Sequence, residues 1–167
     1  MASRPPIPKS LQVAVFRRDR WLCLWCNKPV IFAPAMNILQ QELRPSETGD
    51  RLAYYHAHWT REGAPLLDLL GAVIDHKESL SGGGLGNIEN LATACNKCNG
   101  HKGAKTPKEW AERLKERTIK GKYGEPQIWD GFSTLFVHLA QRHKGALSPG
   151  DRVWLKALRS PQQAADI

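Results

Sequence analysis

No apolar run in this chain approaches the roughly 20 residues that a membrane span requires, so a spanning helix is not expected. Met1 to Lys9 is proline-rich and lacks an apolar signal region, which makes export unexpected and a reducing cytoplasm the expected compartment. The glycine-rich run Ser81-Gly82-Gly83-Gly84 lacks the Gly-Lys-Ser/Thr that opens a helix in a phosphate-cradling loop, so that reading fails and a hairpin connection replaces it. There are no internal repeats. Acidic residues are also short: 16 Asp and Glu against 24 Lys and Arg leave a net charge of +8.

That excess is uneven. Residues 1–20 carry a net +4, and residues 97–122 carry nine Lys or Arg against Glu109, Glu112 and Glu116, a net of +6. Residues 21–96 come to −3 and residues 123–167 to +1. Positive charge therefore brackets the middle of the chain. It suits a polyanionic partner, because neutralising phosphates releases counterions; the plain alternative is a solvated surface.

The 167 residues suffice for one domain with a modest core. Cysteine is scarce but ordered. All four are used in two pairs, Cys23-x-x-Cys26 and Cys95-x-x-Cys98, separated by 68 residues. One such pair alone reads equally as a redox couple. Two pairs with none left over fit four thiolates around one tetrahedral zinc, with a substantial structure clamped between them.

Local patterns divide the chain. Residues 1–9 form a flexible basic arm, with Pro5, Pro6 and Pro8 opposing regular structure. From Ser10, the spacing of Leu11, Val15 and Arg18, joined by Phe16, predicts a short helix ending in Arg17, Arg18 and Arg20. Residues 27–71 read as an insert, with a short helix around Ile38, Leu39 and Leu43 and another from Pro65 to Leu70. His56 and His58 would share a face on a strand; with four cysteines already filling a zinc shell they read as part of an aromatic segment. Ala72 to Glu78 and Asn90 to Ala94 are the expected strands, followed by a short helix carrying Asn99 and Lys102. Thr106-Pro107-Lys108-Glu109 opens a further helix expected to reach Arg117. Trp129, Phe132, Phe136 and Leu139 form an apolar helical face, and Ser148-Pro149 starts a helix with Val153, Leu155 and Leu158. Residues 161–167 are a polar tail.

Phosphodiester hydrolysis needs a base for water and a cation to offset phosphate and leaving-group charge. A neutral imidazole supplies the first near pH 7, and a hard divalent cation on oxygen ligands supplies the second. Asp75-His76 at a strand end and Asn99 just behind the second cysteine pair are the candidates. On a regular strand Asp75 and His76 point to opposite faces, so they share a site only if the strand ends or twists there.

In this order, Phe16-Arg17-Arg18-Asp19-x-Trp21-x-Cys23-x-x-Cys26, Ile74-Asp75-His76, Ser81-x-Gly83-Gly84, Asn90-Leu91 and Cys95-x-x-Cys98-Asn99-x-x-Lys102 resemble an HNH endonuclease of the ββα-metal group. The resemblance spans about residues 11–107. It implies an α+β fold: a two-stranded hairpin plus helix, stapled by a four-cysteine zinc, with flanking helices at both ends. It implies a nuclease domain over 10–120, with 121–160 as a helical extension packed on it. His76 is then the general base, and Asp75 and Asn99 hold a catalytic Mg²⁺ or Mn²⁺. Asn90 braces the hairpin, and Cys23, Cys26, Cys95 and Cys98 hold structural zinc. Some members carry histidine at the position of Asn99, which makes nearby His101 a further candidate. The implied partner is DNA, with Arg17, Arg18, Lys97, Lys102 and Lys105 as the candidate contacts, and double-strand cleavage would call for a homodimer or two visits. Two other readings remain: a non-catalytic zinc-stabilised nucleic-acid-binding module, and a nuclease for structured or single-stranded DNA or RNA.

Overall fold

Two short strands carry the centre of the molecule. In the computed structural model, which describes residues 6–43, 69–103, 105–110 and 129–160, β1 (Ala72–His76) pairs antiparallel with β2 (Leu91–Cys95). The register sets Ala72 opposite Cys95, Asp75 opposite Ala92 and His76 opposite Leu91. Every residue of β2 is buried, which its small, apolar composition permits. β1 ends at His76, two residues before the expected Glu78, and Asn90 lies in the turn just ahead of β2.

α1 (Lys9–Arg18) packs on β2 and buries Val13, Val15 and Phe16. Its end is fastened to the sheet by side chains. The Thr93 N–H donates to Asp19 Oδ2 at 2.7 Å, and Arg18 reaches the carbonyls of Ile88 and Leu91, both at 2.7 Å. Arg20 and Trp21 then take positive φ, 54° and 56°, which turns the chain sharply into the first cysteine pair. That knuckle is closed by the bridge Leu22–Pro29 and by the Cys23 N–H bonded to Lys28 O. It is pinned to β2 where the Leu24 N–H donates to Thr93 O at 2.8 Å.

Beyond the knuckle, Ile31 bridges in parallel to Gly71, and α2 (Ala33–Leu43) follows, on the residues whose pattern predicts it. The rest of the 27–71 insert, including His56, His58 and the expected 65–70 helix up to residue 68, lies outside the described residues. So do most of the basic arm, residues 111–128 and the 161–167 tail.

α3 (Asn96–Lys102) leaves β2 directly, with Cys95 as its cap: the Cys98 N–H donates to Cys95 Sγ. Thr106 and Glu109 cap each other where a further helix begins at 107, as their spacing predicts. α4 (Ser133–Arg142) and α5 (Pro149–Arg159) complete the described chain. Ser148 and Asp151 form a capping box on α5. Of the apolar face expected on α5, Leu158 is buried and Leu155 packs against the core, whereas Val153 faces out and Ala157 takes a buried place.

One core joins these parts. Trp21 stacks on Phe16 and meets Phe32 edge-on, and Phe32 in turn meets Phe136 of α4 and Trp154 of α5 edge-on, with centroids 5.2 and 5.0 Å apart. Gly131 (φ +66°) has no room for a side chain, since a Cβ there would lie 2.3 Å from the Trp21 ring. Truncating a buried ring such as Phe32 to Ala costs about 3–5 kcal/mol in such settings. The core therefore ties both flanks to the cysteine-bearing segments. No helix among the described residues is long and apolar enough to cross a membrane.

Candidate active site and metal centre

The two cysteine pairs converge. The Sγ atoms of Cys23, Cys26, Cys95 and Cys98 all lie within 4.8 Å of one another, and Cys26 to Cys95 is 3.9 Å. A tetrahedron of thiolates around zinc at about 2.3 Å has S···S edges of about 3.8 Å, so the four are placed to hold a metal and are compatible with structural zinc. None is in a disulfide. Crowding splits their protonation. The thiol of Cys23 is pushed above its ordinary range by its bond with Cys26, and that of Cys98 by its bond with Cys23. Hydrogen bonding from Cys23 holds Cys26 and Cys95 below it. Ionising all four sulfurs at this spacing would take a bound cation.

The second constellation lies at the open end of β1. Asp75 and His76 are both paired residues of β1, opposite Ala92 and Leu91, so strand alternation sends their side chains to opposite faces, with His76 the last residue of the strand. Asp75 is buried, and its Oδ2 accepts from Trp25 Nε1 at 2.8 Å. The ammonium of Lys102 stands 3.6 Å from the same oxygen. Burial pushes the Asp75 carboxyl above the ordinary carboxylate range, against the opposing pull of Lys102 and Trp25. Asn99 sits one turn before Lys102 on α3, so the two share a helical face. Lys102 Nζ donates to His76 O at 2.9 Å, which lays that face against the end of β1. A carboxylate and an amide offer hard oxygen donors, the chemistry a Mg²⁺-type ion takes.

Asn90 closes the loop between the strands. Its Oδ1 accepts from the Glu78 N–H at 2.8 Å, and its Nδ2 donates to Glu78 O at 3.0 Å and to Leu85 O at 2.7 Å. The Lys77 N–H donates to Asn90 O. The residue just after the strand end is thus held from across the hairpin. Gly84 makes this possible: a Cβ there would sit 2.1 Å from Glu78 O and 2.7 Å from Asn90 Nδ2. The glycine run is the hairpin connection that the sequence predicts, and two of its glycines have further roles. Gly83 supplies a left-handed turn (φ +89°), and Gly84 supplies the space that the Asn90 brace needs.

The candidate nucleic-acid contacts separate. Lys97 is exposed and Lys105 partly so, with Lys105 Nζ donating to His101 O and Lys102 O. Lys102 is corrected: its side chain is only 1% exposed and is committed to His76 O and Asp75, out of reach of a phosphate. Arg17 is half-buried and donates to Leu158 O at 2.6 Å, whereas Arg18 is exposed while bonding Asp19 and the carbonyls of Ile88 and Leu91. His101 is exposed, with Nδ1 against Lys97 O at 2.7 Å. Gly84 and Lys102 stand in the motifs of the sequence, but their roles, and that of Trp25, escape a reading by motif. Only Lys102 carried a usable signal, since positions 98, 99 and 102 share one helical face.

No curated protein and no solved structure matches this chain. A family model does: residues 68–105 match the HNH endonuclease family. The matched segment holds β1, the braced loop, β2 and α3, and with them Asp75, His76, Asn90, Asn99 and the second cysteine pair. This hairpin-and-helix unit is the part of the chain that matches the HNH endonuclease family model.

Proposed function

We propose that the protein is a divalent-metal-dependent DNA endonuclease. What supports this reading is that the HNH-matched segment holds an acid–imidazole pair at the end of β1, an asparagine that braces the chain just beyond it, and a helix bearing Asn99 whose Lys102 bonds the His76 carbonyl. In this reading Cys23, Cys26, Cys95 and Cys98 hold zinc, which anchors α3 relative to the knuckle. Asp75 and Asn99 hold Mg²⁺ or Mn²⁺, and when bound that ion offsets charge on the phosphate and the departing oxygen.

The chain's own residues do the rest. His76, acting through its neutral imidazole, accepts a proton from the attacking water. Asn90 fixes the backbone just beyond it through Glu78, and Lys102 fixes its carbonyl, so the imidazole meets the water without first paying for order. Exposed Lys97 and partly exposed Lys105 contact the DNA backbone without reading sequence. Double-strand cleavage would take a dimer or two visits, and a reducing cytoplasm would keep the thiols available to zinc.

A second reading has one observation in its favour. Asp75 already has Trp25 and Lys102 as partners, as it would in a zinc-stabilised module that binds nucleic acid without cutting. Plasmid nicking by the zinc-loaded protein, freed of other divalent ions by gel filtration and assayed with and without added Mg²⁺ or Mn²⁺, separates the two. Nicking that appears only with added metal supports the nuclease. Binding without nicking under every metal supports the module.

A further inference from the structure

Trp25 is the third residue of Cys23-Leu24-Trp25-Cys26, so its backbone is set by the cysteine centre. Its side chain nevertheless leaves that centre. Across 50 residues of sequence the indole N–H reaches Asp75 Oδ2 at 2.8 Å. The ring face lies 5.4 Å from Lys102 Nζ, a cation–π distance that holds the indole plane. The same Nζ is 3.6 Å from the same Oδ2. An anion, a cation and an aromatic donor thus form a closed triangle, with one carboxylate oxygen as a shared vertex.

A carboxylate at a strand end swivels about its last torsion unless something holds it. With Oδ2 taken by Trp25 and Lys102, the plane is set, and the direction of the other oxygen is set with it. Groups that orient a ligating carboxylate matter to metal affinity nearly as much as the ligand does. We propose that Trp25 is a positioning residue for the divalent-cation site, transmitting the geometry of the cysteine centre to Asp75 through its indole N–H. This rests on the reading of Asp75 as a metal ligand. Trp25 touches neither substrate nor ion; it acts through Asp75 alone.

Trp25→Phe keeps an aromatic ring beside Lys102 and removes only the donor. The test is Mn²⁺ binding to the zinc-loaded chain, read from the free-ion electron paramagnetic resonance signal, for wild type, Trp25→Phe and Asp75→Asn. Zinc content and melting midpoint are measured alongside. The expected result is Mn²⁺ affinity weakened about 10- to 100-fold by Trp25→Phe, with one zinc per chain retained and the midpoint little changed. Affinity within twofold of wild type in Trp25→Phe, with a clear loss in Asp75→Asn, overturns the positioning role and leaves Asp75 as a ligand. Unchanged affinity in Asp75→Asn overturns both. Should Trp25→Phe fail to fold, the unmodified chain decides: its Trp25 indole ¹⁵N–¹H resonance, assigned by sequential experiments, shifts on adding Mg²⁺. A resonance that stays in place overturns the proposal.

Discussion

Asn90 holds both backbone polar groups of Glu78, accepting from the N–H at 2.8 Å and donating to the carbonyl at 3.0 Å. Gly84 lies beneath that pair with no space for a methyl group. Gly84→Ala therefore forces the brace apart. The expected cost is about 1–3 kcal/mol, with nuclease activity falling further than stability because the residues after His76 shift. Gly86→Ala is the control: nothing lies within 4 Å of its added Cβ, and its stability should stay within about 0.5 kcal/mol of wild type. Thermal melts and nicking rates of the two variants, measured together, check this.

Asn90→Ala removes three hydrogen bonds at once. Its fold should survive, since Asn90 lies outside the central core, while the His76 backbone loses its support. A circular dichroism spectrum close to wild type with a strongly reduced nicking rate is the expected pairing. A rate equal to wild type would make the brace irrelevant to the chemistry.

The cysteine centre joins α1's knuckle to the strand–helix junction of the HNH-matched segment. Structural zinc contributes on the order of 10 kcal/mol to folding in small domains, more than the roughly 5–15 kcal/mol net stability of a domain can spare. Elemental analysis should give one zinc per chain, and Cys95→Ser should lose it together with cooperative unfolding. A Cys95→Ser protein that melts like wild type would contradict the centre.

Lysines of α3 and the turn after it should behave in opposite ways. Lys97→Ala, on the surface, should leave the melting midpoint alone and lower the slope of log Kd against log salt by about 1. Lys102→Met leaves the Asp75 carboxylate buried beside an apolar neighbour, a change that typically costs about 3–5 kcal/mol when one partner of a buried pair is lost. Denaturant titration separates the two.

Much of this was legible in residue order. The hairpin follows from two short apolar runs flanking a glycine-rich turn, and the four thiols could be grouped from their pairing. The helix at Ala33–Leu43 follows from Ile38, Leu39 and Leu43. What could not be read is contact between distant segments. Nothing in local periodicity joins Trp25 to Asp75, or Arg18 to the carbonyls of Ile88 and Leu91. Charge was misread for a related reason. A lysine or arginine in a basic sequence looks like a phosphate contact, but Lys102 and Arg17 lie where buried or half-buried carbonyls need donors.

The central claim is that His76 activates water in a metal-dependent cut. Its most direct test compares wild type and His76→Ala on one plasmid with Mg²⁺, with DNA binding measured on both by fluorescence anisotropy. The account predicts nicking by wild type, its abolition in His76→Ala, and equal binding by the two. Equal nicking by His76→Ala would contradict it.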